Sequence, residues 1–257
     1  MSAVLVIARN VVRESLRRRI LYLILLFVLA LLLMAESVSR FEAQVQLKMV
    51  KDFSYTIVSF FGLALTMLVT FDQVPVETES RTIYLVLSRP VPRWAFLLGK
   101  LLGVIGVLLT VMAFMGAAFI LLAGFNPGKG FSIDAQVLQA IHLLMLKYSS
   151  YAALLMFFSI VLSRPVAVVL SLLVYFYGHV SDFLHLTLGG ADSRVFDLVL
   201  RTFDLVMPNY AVLDFPSGVV RAELFTWQSL AILTAYALSF TLLYLALATW
   251  AFATKEL

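Results

Sequence analysis

The apolar residues of this chain gather into long runs, and the polar residues fill the gaps between them. Six runs stand out, at 20–39, 53–71, 101–125, 148–163, 166–186 and 228–253. About 20 apolar residues rising about 1.5 Å each cross the roughly 30 Å of hydrocarbon in a bilayer. Each run therefore predicts a membrane-crossing helix, the fourth being the shortest. Lys147 stands just before that fourth run, where its long stem would carry the ammonium out to the headgroups. The fourth and fifth runs are parted by Arg164-Pro165 alone. Proline disfavours helix in the residue before it, so this pair predicts the hinge of an antiparallel helical hairpin. The expected fold class is all-α, a polytopic membrane protein with six transmembrane helices.

Residues 1–19 read as a separate unit. At 100° per residue, Val4, Leu5, Ile7, Ala8, Val11, Val12 and Leu16 fall on one half of a helix and Arg9, Arg13 and Arg17 on the other. Such a helix is expected to lie in the inner membrane interface as an elbow. The run behind it ends at Leu33-Met34-Ala35-Glu36, without a convincing small-x-small cleavage site, and so reads as a retained span and not a signal peptide. The remaining 20–257 form one six-span domain with two polar insertions. The inner one, 72–96, mixes charges with Pro75, Pro90 and Pro92. In the outer one, 189–226, Val195, Leu198, Val199, Thr202, Leu205 and Val206 recur at helical spacing until Pro208, which predicts short external helices before the last span.

Composition agrees with the pattern. The chain is 62% hydrophobic and 13% charged, against about half and about a quarter in a soluble domain, and a soluble fold has nowhere to hide that surplus. The net charge of +4 suggests nucleic acid until the positions are inspected. With the N-terminus inside, the inner ends of the runs hold Arg9, Arg13, Arg17, Arg18, Arg19, Arg81, Arg89, Arg93, Lys100, Arg164 and Lys255. That is the bias that orients membrane proteins. It predicts a multi-pass protein of the cell (inner, cytoplasmic) membrane with both termini cytoplasmic, and no nucleic-acid partner. There is no cysteine, which removes disulfides, thiolate metal sites and cysteine nucleophiles.

Few residues suggest chemistry. His179, Asp182 and His185 recur every three positions near the outer end of the fifth run, and ionisable groups at membrane depth are candidates for function. Their spacing drifts around a helix, so no metal site is expected from them; hydrogen bonding at the interface competes with substrate contact. Gly99, Gly103 and Gly106 open the third run, and small residues four apart allow close helix approach, either within the chain or between subunits. The stretch Gly124-Phe125-Asn126-Pro127-Gly128-Lys129-Gly130 imitates a phosphate loop but has the wrong spacing and no hydroxyl after the lysine. It predicts a turn. No catalytic residue is expected.

The inner insertion is the most informative stretch. It runs Glu77-Thr78-Glu79-Ser80-Arg81-Thr82-Ile83-Tyr84-Leu85-Val86-Leu87-Ser88-Arg89-Pro90-Val91-Pro92-Arg93, with Leu98-Gly99-Lys100 shortly after, and 79–88 can form a short amphipathic helix whose charges dock a soluble partner. The segment resembles the cytoplasmic loop of type 2 ATP-binding-cassette export permeases. Glu77, Glu79, Thr82, Ser88, Pro90, Val91, Arg93, Leu98, Gly99 and Lys100 match that pattern; Arg81 departs from it, standing where the family commonly has glycine before the threonine. The N-terminal helix, six spans and external helices extend the likeness over nearly the whole chain. The small single-domain permeases accompanying nitrous-oxide-reductase maturation and gliding motility are the most similar kind.

The resemblance implies a permease subunit that pairs with a second permease copy, as a homodimer or with a related chain. It also implies a separate soluble ATPase, with ATP and Mg on that partner and no cofactor on this chain. The coupling residues it implies are Glu77, Glu79, Arg81, Thr82, Ser88, Pro90 and Arg93. Two other classes compete. A gradient-driven carrier or channel usually shows broken helices with polar groups at the midplane, whereas these runs are nearly free of charge at their centres. A membrane-embedded enzyme needs a nucleophile or metal set held at depth, and no serine–histidine pair or His-Glu-x2-His pattern provides one.

Overall fold

The structure is a computed structural model that describes residues 3–18, 20–38, 43–71, 73, 92–126, 130–131, 135–188, 202–204, 206–214 and 225–254. Seven long helices carry it: α1 (Ala3–Arg18), α2 (Ile20–Val38), α3 (Ala43–Thr70), α4 (Arg93–Gly124), α5 (Ala135–Val161), α6 (Arg164–Leu188) and α7 (Trp227–Thr254). Among the described residues, five of them are long and apolar enough to cross a membrane: α3, α4, α5, α6 and α7. Helix α2 contributes a shorter apolar stretch, Tyr22–Met34. The protein is an all-α multi-pass membrane protein. Among the described residues the strands are β1 (Phe125–Asn126) and β2 (Gly130–Phe131), a minimal antiparallel pair; residues 127–129 of the turn expected over 124–130 lie outside the described residues.

Helix α5 is the axis of the bundle and the most buried of the five spans, packing against α3, α4, α6 and α7. It starts at Ala135, well before the apolar run at 148. Gln136, Gln139, His142 and Lys147 interrupt the hydropathy of its first half, yet Lys147 is buried, Gln136 and Gln139 are half-buried, and only His142 is exposed. Lys147 therefore stands thirteenth in a helix of 27 residues, about 18 Å along its axis. The snorkelling position expected for it does not exist.

The hinge also moves. Helix α5 ends at Val161 and α6 begins at Arg164, so the turn is Leu162-Ser163, and Arg164-Pro165 open the next helix. Proline is tolerated there because a first-turn N–H has no intrahelical acceptor, and the Ser163 carbonyl receives the Ala167 N–H at 2.9 Å. At the other insertion, α4 begins at Arg93, so 93–96 belong to a membrane helix and not to the loop expected over 72–96.

Helix α1 packs along the start of α4. A Cβ on Gly99 would lie 2.9 Å from Ile7 Cβ, and one on Gly103 would lie 2.5 Å from Val11 Cβ. A Cβ on Gly106 would meet Val12 at 3.2 Å. The numbers climb together, so the two helices run in the same direction over these turns. Val11 is buried, whereas Leu5 and Val6 are exposed, so one edge of the apolar face of α1 serves α4. Arg9 and Arg13 remain exposed.

Candidate functional site

A charged cluster lies inside the bundle. Three spans each direct one donor to a common point: α3 through Tyr55, α5 through Lys147 and α6 through His179. The acceptor is Asp214, which belongs to none of them. Lys147 Nζ is 2.5 Å from Asp214 Oδ1, the Tyr55 hydroxyl donates to the same oxygen at 2.9 Å, and His179 Nε2 is 2.8 Å from Oδ2. Lys147 is 1% exposed; Asp214 and His179 are 25% and 27% exposed. The cluster is closed at the lysine and open at the carboxylate.

Aromatic rings line the closed side. The Lys147 ammonium is 5.2 Å from the Tyr148 ring centre and 5.7 Å from that of Tyr175, where ring quadrupoles favour a cation. Tyr175 packs on His179 at 4.4 Å and on Tyr210 at 5.3 Å. The Tyr148 hydroxyl donates to the Ser59 carbonyl at 2.5 Å, tying α5 to α3. His179 Nδ1 faces the Tyr175 carbonyl at 2.8 Å. One ring nitrogen thus faces a carbonyl and the other a carboxylate.

Asp214 is delivered by a segment that packs against the middle of the helices, at Gly178 of α6 and at Tyr236 and Tyr244 of α7. The Val206 carbonyl accepts from Tyr244 Oη at 2.6 Å, and the Asn209 N–H donates to Tyr236 Oη at 2.8 Å, fastening the segment to α7. Gly178 lets it reach α6, because a Cβ there would lie 2.5 Å from the Pro208 carbonyl oxygen. A turn of 3-10 helix, Ala211–Leu213, follows, and extended backbone at Asp214 turns the chain into the cluster.

Burial pushes the Asp214 carboxyl up, but the His179 hydrogen bond and the Lys147 charge outweigh it and bring it from 3.8 down to about 2. A carboxyl lowered in the folded state stabilises the protein above its unfolded value and loses that contribution as pH falls through its folded value. Wild-type protein in detergent is thus expected to lose about 2 kcal/mol relative to Asp214→Asn between pH 4 and pH 2. Thermal melting of the two proteins across that window measures it; parallel curves would rule the contribution out.

The residues singled out from sequence are scattered. His179 joins the cluster, but its partner comes from 35 positions away in Asp214 and not from its own helix. The Asp182 and His185 side chains lie outside the described residues, as do Glu77, Glu79, Arg81, Thr82, Ser88, Pro90 and most of 189–226. Gly99, Gly103 and Gly106 sit at the α1–α4 contact. Arg93 Nη1 donates to the Phe252 and Ala253 carbonyls at 3.0 and 2.9 Å, a cation on the end of α7 where carbonyls lack helical partners. Its neighbour Phe96 stacks on Phe252. His142 is 3.2 Å from the Thr234 hydroxyl. Tyr55 and Asp214 were not foreseen, since no spacing rule links residues 159 positions apart. Lys147 carried a signal, an ionisable group against an apolar run, read only as an interface anchor.

The family described as ABC-2 family transporter protein matches residues 5–257. The chain belongs to that family. No individual curated protein matched it. An ABC-2 chain of this kind is a membrane permease. The family match is consistent with a non-catalytic permease subunit.

Proposed function

We propose that the chain is the membrane half of an ATP-driven exporter or transmembrane mechanical coupler, crossing the inner membrane six times with both termini cytoplasmic. The observation that carries this reading is the family match over residues 5–257 in a chain with no phosphate loop of its own. In this reading energy arrives from a separate ATPase, which holds the ATP and Mg. Two permease copies pair, and the small six-span, single-domain kind is the best description of each.

The insertion that ends where α4 begins at Arg93 is the docking site, with Glu77, Glu79, Arg81, Thr82, Ser88 and Pro90 on the segment that meets the ATPase. What supports a transmitting role is the set of contacts at its exit. Arg93 holds the end of α7, and six residues on, Gly99 holds α1. A push on the insertion thus acts on α4, α1 and α7 together.

Reversing Glu77, Glu79 and Arg81 together (Glu77→Lys, Glu79→Lys, Arg81→Glu) is expected to abolish co-purification of the ATPase while leaving the melting temperature of the permease unchanged. Pull-down from detergent extracts measures it. Undiminished ATPase recovery would remove the docking site from the proposal.

A further inference from the structure

The cluster around Asp214 has the form of a binding site that the protein fills with a side chain of its own. Tyr55, Lys147 and His179 come from three different spans, each fixed by the packing of its helix. Their donors converge on two oxygens of one planar group: Lys147 and Tyr55 on Oδ1, His179 on Oδ2. The occupant comes from a segment outside the spans that packs against α6 and α7, and it is the more exposed member of its ion pair, 25% against 1%. Without the carboxylate, the bundle would hold a fully buried ammonium, a hydroxyl and an imidazole around a space the size of a carboxylate.

We propose that Tyr55, Lys147 and His179 constitute a carboxylate-binding site occupied in this conformation by Asp214 as a tethered ligand, and that a small carboxylate-bearing solute takes its place when the 206–214 segment lifts. The two-oxygen recognition selects a planar carboxylate over a spherical halide. Tethering gives Asp214 an effective concentration of about millimolar or more, so a free carboxylate competes poorly until the segment moves. Movement has defined anchors to break: Tyr236, Tyr244 and the contact at Gly178. The site does not depend on an ATPase, and its test uses none.

The experiment is chemical rescue on the full chain in detergent. Asp214→Ala vacates the site, and its melting temperature is followed against acetate and formate, with chloride at equal ionic strength as the comparison. A ligand that binds only the folded state stabilises it by mass action. Acetate or formate is therefore expected to raise the melting temperature saturably, by roughly 3 °C or more at saturation, with chloride inert. Lys147→Met combined with Asp214→Ala is expected to abolish the response, and Asp214→Asn, whose amide fills the space, to show none. If the alanine chain does not purify, Asp214→Ser leaves room for formate, offers Lys147 a hydroxyl and reads the same quantity. An equal response to chloride, no response in the vacated chain, or a response that survives loss of Lys147 would overturn the proposal.

Discussion

Asp214→Ala should destabilise the protein by about 3–5 kcal/mol, the range for breaking a buried ion pair by removing one partner, and by more than Lys147→Met. The asymmetry follows from depth. Lys147 is 1% exposed and Asp214 25%, so losing the carboxylate strands an ammonium that water cannot reach. Losing the lysine leaves a carboxylate still bonded to Tyr55 and His179 and partly wetted. The double variant Lys147→Met with Asp214→Asn should recover most of the loss, because replacing both members of a buried pair avoids the uncompensated charge. Denaturant unfolding in one detergent, with Asp214→Asn and Lys147→Met as the two single variants beside their double and the wild type, completes the cycle. A Lys147→Met cost equal to or above that of Asp214→Ala would refute the depth argument.

Gly103→Leu should detach α1 and cost about 3 kcal/mol. Its Cβ would stand 2.5 Å from Val11 Cβ and 2.9 Å from the Ala8 carbonyl oxygen; the second neighbour is backbone and cannot rotate away. Overpacking of this kind costs about 1–3 kcal/mol, and exposing Val11, 2% exposed in the native protein, adds about 1.5 kcal/mol or more. Gly106→Ala is the control. Its Cβ would meet only the tip of Val12 at 3.2 Å, and it should cost well under 1 kcal/mol. Limited proteolysis within 3–18, together with thermal melting, separates the two. Equal protection of α1 in both variants would show that the glycines do not hold it.

The transmission proposed through Arg93 and the binding site at Asp214 lie in different parts of one bundle. Helix α4 carries Arg93 at its start and packs on α5, which carries Lys147 midway. A displacement of α4 therefore reaches the cluster through packed helices. The end of α7 held by Arg93 and the Tyr236 and Tyr244 anchors of the 206–214 segment sit on one helix.

Crossing helices were readable along the chain because lipid imposes one demand on every residue of a span, and a run such as 228–253 meets it without reference to any other part of the molecule. The same demand hides which face is inside. Helix α7 is apolar all round, yet only Ala237, Phe240, Thr241, Tyr244, Ala248 and Phe252 are buried; against hydrocarbon, a lipid-facing leucine and a core leucine look alike. The early start of α5 was missed for the converse reason, since Lys147 and two glutamines lower hydropathy at positions that neighbouring helices shelter. The loop pattern at 77–93 pointed to the family through local residues in local order. The cluster had no such order: Tyr55, Lys147, His179 and Asp214 are far apart in the chain, and only packing three spans and folding one segment against the bundle brings a carboxylate to a buried ammonium.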